Sequence, residues 1–246
     1  MMHQLVFWHG WAMSPMVWIP LDLAIQNRYP DRFFSQIPAL PGYGGTPLPE
    51  QGSTGAWVDA MMDQVSAPIV LIAWSMGAIM ALDAARRYPE KIEKLVLFGA
   101  TPCFINQAGW TDGLSEETAL RFRHGVQTDS PATLRRFIML FNQHDRHAKD
   151  ISRQLSALPH PSDEVLLQGL SFLHTVDYRH LVPDIHQKVM LIHGEKDSLM
   201  PVNAARWLAG ALPDASLTVM LGTAHAPFLS EPDACAGIIG QFLGWA

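Results

Sequence analysis

Six short apolar runs, Leu5–Trp8, Phe33–Ile37, Pro68–Ala73, Lys94–Gly99, Lys188–His193 and Ser216–Met220, are separated by longer stretches of helical character. Short, nearly continuous apolar runs read as strands buried on both faces. Strands that alternate with helices need crossover connections, so they lie parallel in one sheet with helices against it. This pattern leaves an α/β architecture as the expected fold class. With 246 residues and 48% hydrophobic content, the chain buries enough surface for one domain spanning residues 1–246, without disulfide or metal. Over about residues 102–184 the strand signal disappears and the sequence turns helical, polar and rich in His and Arg. An inserted helical cap is expected there, broken in two by Pro159-His160-Pro161 because proline ends helices and biases its predecessor toward extended backbone.

The third apolar run leads directly into Trp74-Ser75-Met76-Gly77 and then an Ala/Leu-rich helical stretch that stops at Tyr88, before Pro89. A serine on a sharp strand-to-helix turn has its hydroxyl lifted above the sheet edge, and the helix N-terminus favours developing negative charge. The G-x-S-x-G pattern of such a nucleophile elbow is met here with Ala73 at its first position. On that reading Ser75 is the nucleophile. The acid of the triad follows a late strand, and Asp197 lies in Gly194-Glu195-Lys196-Asp197, just after the fifth run; Asp214 is its nearest rival. Of eleven histidines only His225 is C-terminal to Asp197, within the small-residue segment Gly222-Thr223-Ala224-His225. His225 is therefore the expected general base. Acyl transfer also needs two N–H donors for an oxyanion: Met76, following the nucleophile, and Trp11, in His9-Gly10-Trp11 after the first strand. His9, just before the glycine, is expected to brace that loop.

Other chemistries find little support. Cys103 and Cys235 stand far apart in no metal-ligand spacing, as for buried apolar side chains in a reducing compartment. His144 and His147 lie three residues apart but offer too few ligands for a metal site. No phosphate-binding glycine loop is present, and no cofactor is expected. A formal charge of −6 gives no global attraction to nucleic acid. The first residues, Met1 to Trp8, lack a basic region and are too short an apolar run for a signal peptide or membrane span, so a cytoplasmic protein is expected. No heptad run demands a partner subunit, and a monomer is expected.

His9-Gly10-Trp11, Trp74-Ser75-Met76-Gly77, Thr101-Pro102-Cys103-Phe104, Arg136-Phe137, Thr175-Val176-Asp177 and Ala224-His225-Ala226-Pro227-Phe228 together resemble the pimeloyl-[acyl-carrier protein] methyl ester esterases of biotin synthesis. The resemblance implies an α/β-hydrolase fold with a helical cap and hydrolysis of the methyl ester of pimeloyl-acyl carrier protein without a cofactor. It also implies substrate contacts at Trp11, Ser75, Met76, His225 and the stretch Phe137, Ile138, Met139, Leu140, Phe141. From the residues alone, Phe137, Leu140 and Phe141 share one helix face, which either lines an acyl channel or packs the cap onto the body. Between Ala132 and Leu155 five basic residues face two acidic ones, Asp145 and Asp150. Arg135, Arg136, Lys149 and Arg153, with Arg146 on the same helical face as the last two, form either a docking surface for an acidic carrier protein or a solvated face. A generalist short-chain carboxylesterase or thioesterase, and a non-catalytic binding protein of this fold, stand as alternatives.

Overall fold

The computed structural model of the chain describes residues 2–49, 54–66 and 68–245. The six expected strands form as β1 His3–Trp8, β2 Phe33–Gln36, β3 Ile69–Trp74, β4 Ile92–Phe98, β5 Lys188–Gly194 and β6 Ala215–Met220, each end within two residues of its apolar run. Every pairing is parallel and the strand order is β2-β1-β3-β4-β5-β6. All six residues of β3 are buried, which is why the central strand reads as an unbroken apolar run. Because β2 lies on one side of β1 and β3 on the other, the chain reverses direction across the sheet at β1. In open parallel sheets the crevice at the carboxyl ends of strands beside such a reversal is where ligands bind.

Helices α1 Ile19–Arg28, α2 Thr54–Met62 and α3 Met76–Arg87 come from the first half of the chain. The second half contributes α4 Glu116–Phe141, α5 Ala148–Ser156, α6 Asp163–Thr175, α7 Val202–Ala211, the short α8 Pro227–Ser230 and α9 Pro232–Leu243. Helix α1 packs on α9 and α2 on α3, flanking the sheet. Helix α3 ends where Tyr88 precedes Pro89, since the residue before a proline is pushed out of the helical region.

Helices α4 to α6 lie between β4 and β5, with α4 packed on both α5 and α6. The two ends of this insert are held side by side by a bridge between Cys103 and Asp177 and by the Tyr178 N–H donating to Pro102 O at 2.8 Å. Pro159 to Pro161 separates α5 from α6. The insert has two further breaks. Helix α4 is kinked at Asp129 (φ −156°, ψ 80°), two residues before Pro131, which cannot donate to the helical ladder. A turn over residues 142–147 then ends it, with His144 at φ 70°.

Candidate active site

The β3–α3 turn holds Ser75 at φ 57° and ψ −121°, a left-handed conformation that a non-glycine residue adopts only when its surroundings enforce it. Three features enforce it here. The Ser75 N–H donates to Phe98 O at 3.1 Å, the Ile79 N–H donates to Ser75 O at 3.0 Å, and α3 starts at the next residue. Gly77 lets the helix sit against the loop after β1: a Cβ there would lie 2.6 Å from both the Trp8 and His9 carbonyl oxygens. Alanine at position 73 stays within β3, buried and in register with Trp8 and Leu97.

Asp197 follows β5 and His225 follows β6, so both emerge at the carboxyl edge where β3 delivers Ser75. The His225 Nδ1–H donates to Asp197 Oδ2 at 2.7 Å, both side chains being buried. Asp197 Oδ1 accepts the N–H groups of Leu199 (3.0 Å) and Met200 (2.8 Å). His193 Nε2 lies 3.3 Å from Oδ2 while donating to Met200 O at 2.7 Å. Burial alone pushes the Asp197 carboxyl up. The charge of His225 and the hydrogen bonds from His193 and His225 outweigh it and hold the group well below the usual carboxylate range. Asp197 is thus an anion that fixes the tautomer of His225 and leaves Nε2 as the nitrogen able to accept a proton. That atom is buried and has no hydrogen-bond partner among the described residues. Gly99 makes room for the ring, since a Cβ at this position (φ 49°) would sit 2.8 Å from His225 Nδ1 and Cε1. Asp214 directly precedes β6, at the opposite edge of the sheet.

Met76 is the first residue of α3, and its N–H has no intrahelical acceptor. Trp11 occupies a turn closed by the Met13 N–H donating to Gly10 O at 3.3 Å, which leaves the Trp11 N–H outside that bond. Gly10 carries the turn against the nucleophile: a Cβ on it would be 3.0 Å from Ser75 Cβ. His9 braces the loop from beneath, donating from Nδ1 to Gly10 O (2.9 Å) and accepting the Leu40 N–H at Nε2 (3.1 Å). Burial lowers its pKa to about 4, partly offset by the Gly10 bond, so His9 is a neutral strut. Ala12, at φ 62°, is pinned by its N–H donating to the Tyr43 hydroxyl at 3.0 Å.

Above Ser75 lies an apolar cleft lined by Trp11, Phe104, Leu114, Phe122, Phe137 and Leu173 among others. Phe137 meets Trp11 edge-on with ring centroids 4.8 Å apart, and the Trp11 indole N–H donates to Leu166 O on α6 at 2.9 Å. The expected contact stretch divides along α4. Phe137 lines the cleft, and Phe141 is fully buried against Trp74 and His225. Ile138 belongs to the core and Leu140 is half-buried against it. Met139 is 67% exposed, so the structure does not bring it to the cleft; it falls on the outer side of a helix whose inner face carries Phe137 and Phe141.

Arg135, Arg136 and Lys149 are exposed and form no ion pair among the described residues. Arg153 is exposed and pairs with Asp150 at 2.9 Å. Arg146 departs from the sequence reading. It lies in the turn before α5 rather than on its face, pairs with Glu231 at 3.2 Å and donates to Leu221 O. Among the described residues no three His, Cys, Asp or Glu side chains converge as a metal site, and no helix is long and apolar enough to cross a membrane. Both cysteines are free and buried. Sequence reasoning missed His193, which lies against the Asp197 carboxylate from within β5, and Tyr43 and Asp145, which reach the site through backbone N–H groups distant in sequence.

Residues 4–232 match the α/β-hydrolase fold family. A pimeloyl-[acyl-carrier protein] methyl ester esterase of Aromatoleum aromaticum is 41% identical over 245 residues, covering 96% of each chain. Proteins of the same name from Nitrosomonas europaea and Serratia marcescens are each 32% identical, covering 93% and 97% of this chain and 91% and 93% of theirs. Among solved structures, an esterase from Exiguobacterium antarcticum superposes with a TM-score of 0.86 at 21% identity, covering 98% of this chain and 92% of its own. A bromoperoxidase from Bacillus anthracis gives 0.85 at 20% identity, covering 99% and 92%. At such identities the two structures speak for the fold alone.

Proposed function

The chain belongs to the α/β-hydrolase fold family and, within it, to the pimeloyl-[acyl-carrier protein] methyl ester esterases, and from that premise we propose that this carboxylesterase cleaves the methyl ester of pimeloyl-acyl carrier protein with Ser75, His225 and Asp197 as its triad. The observation that carries the triad is the buried Asp197–His225 pair, whose outward nitrogen is left unpartnered at the sheet edge that presents a strained Ser75.

His225 Nε2 takes the Ser75 hydroxyl proton as Oγ bonds to the ester carbonyl carbon, and the carbonyl electron pair moves onto oxygen. The N–H groups of Trp11 and Met76 stabilise that oxyanion. The oxyanion collapses, the bond to methoxide breaks and the proton from His225 leaves with it as methanol. Water, deprotonated by the same nitrogen, then attacks the acyl-Ser75 ester, releasing the free carboxylate and restoring the serine. Asp197 stays ionised throughout and stabilises the imidazolium formed in each half-reaction.

The narrow cleft lined by Trp11 and Phe137 receives the acyl chain, while Arg135, Arg136 and Lys149, which form no ion pair among the described residues, and Arg153, one turn along α5 from Lys149, meet the acidic carrier protein. Complementary charge of this kind acts mainly on encounter and specificity. The enzyme works in the cytoplasm as a monomer and needs neither cofactor nor metal. The combined variant Arg135→Glu, Arg136→Glu, Lys149→Glu tests the carrier reading: KM for the carrier-bound ester is expected to rise about tenfold and to fall back with salt, with the rate on a free methyl ester unchanged. Equal KM in wild type and variant rejects the docking surface. Turnover of free esters alone by the wild type makes the protein a generalist esterase.

A further inference from the structure

The C-terminal end of α4 and the turn after it grip both loops of the proposed triad. The Ser198 hydroxyl, beside Asp197, donates to Leu140 O at 2.9 Å, and the His225 N–H donates to Phe141 O at 3.2 Å. Four residues on, the buried carboxylate of Asp145 accepts the Ala224 N–H at Oδ2 (2.7 Å), and the Ser230 hydroxyl (2.9 Å) and the His147 N–H (2.8 Å) at Oδ1. Arg146 adds a backbone bond from its N–H to Gly222 O at 3.1 Å. A carboxylate taking three donors in a buried site is a demanding arrangement, because charge-assisted bonds are strong only when every partner is in place. Its nearest neighbour in the proposed machinery is the Thr223–Ala224 peptide, which immediately precedes His225.

We infer that Asp145 is a positioning residue for the esterase reaction: from the cap, it fixes the Thr223–Ala224 peptide immediately before His225 and thereby the direction in which His225 Nε2 faces Ser75. The inference rests on the triad reading above. Asp145 touches neither the substrate nor the reacting atoms. Its role follows from geometry, since two donors to its carboxylate, Ala224 and Ser230, bracket His225 and the start of α8, while the carboxylate itself stands on the turn that closes the cap helix carrying Phe137 and Phe141. The seating of the cap and the placement of the base are therefore linked through one side chain.

Asp145→Asn keeps the shape, but its amide –NH2 faces a donor in either orientation, so at least one of the three bonds is lost. The test uses p-nitrophenyl butyrate, which needs the triad but neither the carrier nor a long acyl channel, together with the rate of covalent labelling by a fluorophosphonate. With circular dichroism showing a folded variant, kcat and the labelling rate are expected to drop about 10- to 100-fold while KM changes less than about twofold, the signature of a misdirected base rather than a damaged pocket. Should Asp145→Asn not fold, Ser230→Ala carries the test, because it removes one donor to Oδ1 and leaves the carboxylate in place. It is expected to lower kcat about two- to fivefold with KM held. Unchanged kcat and labelling in the folded variant overturns the inference. A wild type that neither turns over the ester nor reacts with the phosphonate fails the triad reading itself, before any variant is compared.

Discussion

Replacing Tyr43 by Phe removes one oxygen atom from beneath the proposed oxyanion loop and leaves the ring, with its edge-on contact to His9 at 4.7 Å, in place. The hydroxyl it removes is the acceptor of the Ala12 N–H, and Ala12 is fully buried and held at φ 62°. Burial pushes the Tyr43 phenol well above its ordinary range, so the group stays a neutral hydroxyl at working pH. In the variant the Ala12 N–H is left unpaired away from water, at a cost of about 1–3 kcal/mol. For a domain of this size each kcal/mol moves Tm by about 2–4 °C, so a drop of roughly 2–12 °C is expected. Activity should fall as well, because the Trp11 N–H is one peptide before Ala12 and the pin that orients the turn is gone. Complete loss of an oxyanion donor costs about 10²–10³ in kcat, and a donor that is only loosened about tenfold. Thermal unfolding followed by circular dichroism and kcat on p-nitrophenyl butyrate measure the two effects. A Tm within about 1 °C of wild type together with an unchanged kcat would refute the reasoning, since no buried donor would then have lost its partner.

Asp197→Asn is expected to lower kcat by about 10⁴, because an amide in place of the carboxylate no longer enforces the His225 tautomer or stabilises the imidazolium. A loss of less than about tenfold in single-turnover assays would count against Asp197 as the orienting acid. The neutral strut at His9 gives a pH signature. Its folded pKa is lowered to about 4, whereas the unfolded chain takes up a proton near pH 6.5. The unfolded state binds more protons between those values, so His9's contribution is whole above about pH 6.5 and drains away as pH falls toward 4, by about 3 kcal/mol in all. Urea unfolding of wild type and His9→Gln at pH 7.5 and 5 should show a smaller pH-dependent loss in the variant; equal losses would contradict the assignment.

Much of the fold was legible because a parallel sheet covered on both faces makes its inner strands nearly continuous apolar runs. Ile69–Trp74 is buried at every position, and the turn after it could be read from one serine between a strand and an Ala-rich helix. The placement of Ser75, Asp197 and His225 after β3, β5 and β6, at one edge of the sheet, was equally legible, since it depends on which strand each residue follows. What escaped depends on contacts that leave no local pattern. Asp145 acts through the N–H of Ala224, 79 residues away, and Tyr43 through the N–H of Ala12, 31 residues away. A backbone donor carries no residue identity, so nothing in the sequence marks its acceptor. The cap misled for a related reason. Helical spacing was extended across residues 142–147, where the chain turns, which put Arg146 on the wrong surface and concealed its pairing with Glu231. A stretch of five consecutive residues likewise could not all face one cleft: Met139 lies outward because a helix turns 100° per residue.

The most direct test of the central claim is methanol release from methyl pimeloyl-acyl carrier protein by wild type and by a folded Ser75→Ala variant. The wild type is expected to release methanol and leave the free carboxylate on the carrier, and Ser75→Ala to reduce the rate by at least about 10⁴, to whatever the oxyanion donors and binding alone provide. Methanol release persisting in Ser75→Ala at a rate near that of wild type would contradict the account, for the strained serine at the end of β3 would then not be the nucleophile.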